Sequence, residues 1–192
     1  DFVGSAFVPS RYNSRSRNTV VYDSTAGGLR LVNNGIGRDD SRAFEMNTNL
    51  IAYARSQSVT DIRFEFKADA LASEHRSGCG VFVNVSPNVA SAEGYGWWAP
   101  EAPTFVCFGA DSIFDGNSVT YSVSLSDIPV GGSVVLCTGD DNVAESPLDL
   151  FDIIVTKVEV KIGENWVDYS SNCLYTDAIG VGYAGSMNGL DP

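Results

Sequence analysis

Residues 61–70, DIRFEFKADA, decide the fold. Ile62, Phe64, Phe66 and Ala68 alternate with Arg63, Glu65, Lys67 and Asp69. Only an extended chain sends successive side chains to opposite faces, so one side of this segment is apolar and the other charged. That pattern predicts a half-buried antiparallel strand. The same period returns at 119–129, VTYSVSLSDIP, where Val119, Tyr121, Val123 and Leu125 point inward and Pro129 ends the run.

Working outward, the other segments fall into the same class. GVFVNVSP (80–87) and PTFVCFG (103–109) are denser apolar runs, expected of central strands covered on both faces, and GGSVVLCTG (131–139) begins after a Gly-Gly turn. In FDIIVTKVEVKIG (151–163) the alternation slips: Phe151, Ile153 and Val155 share one phase, Val158, Val160 and Ile162 the other. One extra residue near Thr156 restores the order, which predicts a β-bulge there. TVVYDS (19–24) and GLRLVNNG (28–35) read as two strands joined by a turn at Gly27 and Gly28, while NTNLIAYARSQS (47–58) fits a helix or a strand. Turn residues fall between the strands at the spacing of an all-β antiparallel sandwich. Residues 1–192 are read as one domain, and the polar tail YAGSMNGLDP (183–192) as a linker.

Charge narrows the partners. The net charge is −12, and residues 77–156 carry ten acidic side chains and no Lys or Arg. Such a block repels nucleic-acid phosphates and anionic lipid, so no nucleic acid and no membrane partner is expected. Polyuronates are disfavoured on the same ground, which leaves neutral ligands. No apolar run reaches the roughly 18 residues that a membrane-spanning helix needs. The chain opens at Asp1 with neither an initiator Met nor a signal peptide, as a processed protein or an excised module would.

Cys79, Cys107, Cys137 and Cys173 form no C-x-x-C pair, which argues against zinc or a redox motif. Three disulfide pairings and the free thiols all remain open. His75, the single histidine, lies in the Glu74-His75-Arg76 run; this gives a polysaccharide-lyase reading a foothold, and an exposed loop tip is the plainer account. Glycoside hydrolysis needs a carboxylate pair, and no E-x-D-x-x-E run places one along a strand face as in laminarinase-like sandwich enzymes. The run SRYNSRSRN (10–18) is the one basic cluster and reads as a solvated loop.

The aromatic stretch GYGWWAP (94–100) points to a ligand. Adjacent indoles cannot both face a core from a strand, so Trp97 or Trp98 stands outward. A pyranose presents a flat patch of C–H bonds, which an exposed indole face covers. Tyr95 and Trp97 share a face and form one platform. Trp166, in GENWVDYSS (163–171), either extends a platform together with Tyr169 or plugs the end of the sandwich. Glu93 and Glu101, with Asp111 and Asn117, are the polar candidates for sugar hydroxyls, which donate strongly to carboxylates.

The order GGLRLVNNG, VTDIRFEFKADA, FDIIVTKVEVKIG, with Lys67-Ala68 closing the middle strand and an Asp152-x-x-Val155 step in the last, resembles jelly-roll carbohydrate-binding modules. These are non-catalytic domains of plant-cell-wall-degrading enzymes and cell-surface proteins. The resemblance implies a jelly-roll β-sandwich that is secreted, monomeric and tethered to other domains, and that holds a polysaccharide such as a β-glucan. It also implies a structural calcium, for which Asp39-Asp40, Asp140-Asp141-Asn142 and Asp152 are the oxygen-rich candidates. A small sandwich glycosidase or lyase and an adhesive surface domain are the alternative functions.

Overall fold

The computed structural model describes residues 2–10, 18–32, 43–69, 79–86, 106–140 and 151–174. In chain order these form β1 (Phe7–Pro9), β2 (Thr19–Asp23), β3 (Gly28–Val32), β4 (Ala43–Met46), α1 (Thr48–Ser56), β5 (Val59–Asp69), β6 (Cys79–Ser86) and β7 (Val106–Gly109). Then come α2 (Ala110–Ile113), β8 (Val119–Ser124), β9 (Ser133–Asp140), β10 (Asp152–Ile162), β11 (Asn165–Asp168) and α3 (Ser170–Cys173). Two antiparallel sheets pack face to face. One runs β1-β4-β9-β6-β7; the other runs β2-β3-β10-β5-β8, with β11 added to β10. The chain is an all-β sandwich.

β5 behaves as its alternation requires. Ile62, Phe64, Phe66 and Ala68 are buried, and Arg63, Glu65 and Lys67 are half-exposed on the opposite face. The apolar face meets the other sheet through rings: Phe64 lies edge-on to Phe7 of β1 at 5.0 Å, and Phe66 edge-on to Phe108 of β7 at 5.5 Å. Offset and edge-to-face ring pairs of this kind add stability beyond the area they bury.

β10 pairs with β5 along nearly its whole length, and the register slips between Val155 and Lys157. Thr156 is the extra residue, so Ile153 and Val155 before it and Val158 and Val160 after it all reach the core. A second register irregularity lies at Lys161/Ile162, and Ile162, at the end of the strand, is 45% exposed despite its phase. β2 and β3 form the expected hairpin. Gly27 takes φ +68°, and the Asp23 carboxylate accepts from the Thr25 and Ala26 amides at 2.9 and 3.0 Å. At Gly28 a Cβ would stand 2.5 Å from the Val155 carbonyl oxygen, so only glycine lets β3 lie this close to β10.

Three expectations are refined. Residues 48–56 are a helix, capped by the Asn47 side chain accepting from the Asn49 amide at 2.9 Å, with Leu50, Ile51 and Ala54 on its buried stripe. Among the described residues β7 is an edge strand, paired only with β6, and its exposure alternates, so Val106–Gly109 is not covered on both faces as a central strand would be. β8 stops at Ser124, before Leu125, whose amide donates to the Thr60 carbonyl. Cys107, Cys137 and Cys173 form no disulfide. No helix among the described residues is long and apolar enough to cross a membrane.

Candidate functional site

The outward face of the six-stranded sheet carries the one described tryptophan. β10 leaves the core at Ile162 and returns as β11 through a two-residue loop, with Gly163 at φ +59° in its first position. Glycine there is what a tight hairpin of the II′ kind needs. The register sets Trp166 opposite Lys161 and Asp168 opposite Glu159, while across β10 Glu159 faces Arg63 of β5. Three strands therefore bring Trp166, Arg63 and Glu159 together.

Their geometry is tight. The Arg63 guanidinium carbon lies 4.1 Å from the centroid of the Trp166 ring, over one face of the indole. Arg63 Nε donates to Glu159 Oε2 at 2.6 Å, and Lys157 Nζ reaches Glu159 Oε1 at 3.0 Å. The hydrogen bond from Arg63 is the main reason that the Glu159 carboxyl is held below its ordinary range. On the same face Thr156, the bulge residue, donates to Glu65 at 2.8 Å. A cation against an aromatic face is attracted by the ring quadrupole, and here the carboxylate fixes that cation in turn. The indole is half-buried and held by side chains that are themselves held.

Farther along the face, Arg30 gathers three carboxylates. It contacts Asp23 at 2.6 Å, Asp69 at 2.5 Å and Asp152 at 3.0 Å. Asp152 and Asp69 are directly opposed across β10 and β5, a like-charge pair that the shared guanidinium offsets. Asp152, one of the calcium candidates, therefore has its Oδ2 on an arginine. Among the described residues no group of three or more His, Cys, Asp or Glu side chains is arranged to hold a metal. Arg30, Arg63, Lys67, Lys157 and Lys161 all stand on this face; of the described basic side chains only Arg55, which binds the Leu125 and Ile128 carbonyls, lies elsewhere.

Of the residues singled out in the sequence, Trp166 is on this face, braced by Arg63. It does not plug the end of the sandwich. Tyr169 does not extend its platform: it stacks on Tyr53 of α1 at 6.1 Å and packs against the core, with its hydroxyl donating to the Phe2 carbonyl. Asn117 closes the turn after α2 by donating to the Asp111 carbonyl at 2.9 Å. Glu93, Tyr95, Trp97, Trp98 and Glu101, between β6 and β7 in the sequence, lie outside the described residues; so do Asp39, Asp40, His75, Asp141 and Asn142 elsewhere in the chain. Sequence reasoning missed Arg63 and Glu159. Alternation put Arg63 outward, but the pairing that sets it under an indole 103 residues later is a matter of register.

Compared with known proteins, the chain matches no family model, and no curated protein is similar enough to lend it a function.

Proposed function

We propose that this chain is a jelly-roll carbohydrate-binding module that holds a neutral polysaccharide of the β-glucan type, without cleaving it, on exposed indoles. The observation that carries the reading is the Trp166 indole seated on Arg63 and steadied through Glu159. Binding a flexible polymer loses less free energy to ordering when the receptor surface is already fixed. The charges around the ring are largely paired with one another, which suits a ligand that has hydroxyls and no net charge. Trp97 and Trp98, with Tyr95, Glu93 and Glu101, form the companion part of the binding surface in this reading. The module is secreted, monomeric and tethered to other domains, and a structural calcium belongs to the same proposal.

Binding is favoured over hydrolysis by the state of the carboxylates among the described residues. Asp23, Glu159 and Asp168 are all pulled below their ordinary range, chiefly by hydrogen bonds. Ionised carboxylates accept from sugar hydroxyls, whereas a glycosidase acid needs its carboxyl pushed up and protonated.

The test is electrophoresis in native gels cast with soluble β-glucans. The parent chain is expected to be retarded. Trp166→Ala, Trp97→Ala and Trp98→Ala are each expected to lose at least about tenfold in affinity, roughly 1.4 kcal/mol, with thermal melts close to the parent. Equal mobility of the parent in gels with and without any glucan refutes the reading, as does full retention in all three variants.

A further inference from the structure

We propose that the β2–β3 hairpin is an acid-released unit, latched to the sandwich by Arg30 and the three carboxylates that it holds. The latch works whatever the molecule binds, so it stands apart from the glycan reading.

The hairpin meets the rest of its sheet along a short seam. β2 and β3 pair with each other over five positions, but β3 joins β10 over only three, at Leu29, Arg30 and Leu31. β5, on the other side of β10, follows it for ten. From Glu159 onward the β3 side of β10 is occupied by β11, and among the described residues β2 has no strand beyond it. Val20, Leu29 and Leu31 are the apolar anchors that the hairpin sends into the core. A supersecondary unit with so few backbone bonds to its neighbours is the kind that opens before the whole fold does.

On the outward face Arg30 reinforces this seam. Its Nε and Nη2 contact Asp23 Oδ2 at 2.8 and 2.6 Å within the hairpin, and its Nη1 reaches Asp69 of β5 at 2.5 Å and Asp152 of β10 at 3.0 Å. One side chain thereby joins four strands. An isolated surface ion pair contributes little, whereas several charges in a network with short, charge-assisted hydrogen bonds contribute more. The Arg30, Asp23 and Asp152 side chains are at most 24% exposed, which limits screening by solvent.

Acid opens the latch because its acceptors titrate and its donor does not. Lys67, two residues from Asp69 on the same face of β5, is the other charge there; Val21 and Ile154, opposite Arg30 on β2 and β10, carry none. An aspartate ionises near ~3.9 in an unfolded chain. Asp23 is held below its ordinary range, by the Ala26 amide first and by Arg30 next. Its contribution is therefore present above the unfolded value and is lost as pH falls through the folded one. Once protonated, Asp69 and Asp152 lose their charge attraction for Arg30 as well. The short seam and the three apolar anchors then carry the hairpin alone.

Hydrogen exchange of the full chain tests this, read by mass spectrometry on peptides covering residues 19–32 and 59–69 and corrected for intrinsic rates. Between pH 6 and pH 3 the protection of 19–32 is expected to fall at least about tenfold further than that of 59–69. The combined variant Asp23→Asn, Asp69→Asn, Asp152→Asn removes the charges and keeps the shapes, so it is expected to show that loss already at pH 6. Arg30→Met leaves three carboxylates facing one another without a counter-charge. Its hairpin is expected to gain protection from pH 6 to pH 4, the opposite sign to the parent. The proposal is overturned if the two peptides of the parent lose protection together, or if the triple variant keeps the parent's protection of 19–32 at pH 6. Should a variant not fold, the pH series of the parent decides alone.

Discussion

Arg63 has two partners, and each makes the other useful. Glu159 accepts from its Nε, and the indole of Trp166 covers its guanidinium. Removing the carboxylate frees the cation, and the ring then loses its seat. Arg63→Ala is therefore expected to weaken glucan retention several-fold without touching the indole itself, whereas a Trp166 that merely packs would leave retention unchanged. The pH dependence has a definite sign. Glu159 is held below its ordinary carboxyl range by Arg63 first and Lys157 after it. A depressed folded value favours the native state above the unfolded value of about 4.3, and this contribution is lost as pH falls through the lower folded value. The melting temperature of the parent should fall in that window, and Glu159→Gln should lack that part of the decline in melts run from pH 6 to pH 3.

At the scale of elements, the bulge at Thr156 keeps β10 in the core on both sides of a phase change. Deleting Thr156 forces one half of the strand to point the wrong way, either Ile153 and Val155 or Val158 and Val160. At about 1.5–3 kcal/mol for each buried aliphatic side chain, two of them turned to water cost about 3–6 kcal/mol. A large fall in the urea midpoint is expected, and an unchanged midpoint would show that the ladder absorbs the deletion elsewhere. This bulge was legible in the sequence because a slipped alternation is a local signal. So were β5, the β2–β3 hairpin and β6 as a densely apolar inner strand. β1 and β4 were not, since three or four residues are too few to display a period. The run 103–109 misled for a related reason: its apolar density was read as burial on both faces, yet among the described residues β7 has a strand on one side only, and Cys107 is exposed on it. Helix α1 was ambiguous until Leu50, Ile51 and Ala54 were seen to share a stripe against the sandwich.

For the whole molecule, the two sheets treat their outward faces in opposite ways. The six-stranded sheet covers itself with paired charges around Arg30 and Arg63, while the five-stranded sheet keeps Ala43, Val135, Cys137, Glu45 and Asn84 buried on its outward side. Sequence composition recorded the excess of acids but not this segregation, which depends on strand order. The thiols report on it chemically. Cys107 is exposed, Cys137 and Cys173 are buried, and burial pushes the Cys173 thiol up to about 12. Iodoacetamide at pH 8 should label Cys107 quickly in the native chain and reach Cys137 and Cys173 only in denaturant, as read by peptide mass spectrometry. A reductant should leave the melting temperature unchanged, and a drop would mean that a bridge exists in solution.

The hairpin that bears Trp166 hangs from the central strand β10 but lies beyond the stretch of β10 that pairs with β3. Its turn is closed by its own glycine, and three of its four β11 residues are exposed. Residues 163–168 can therefore be exchanged for other short loops while the aromatic interior keeps its register. On the proposed reading, recognition and folding are written in separable parts of this chain, and a library confined to those six positions would change what the surface selects without asking the sandwich to be rebuilt.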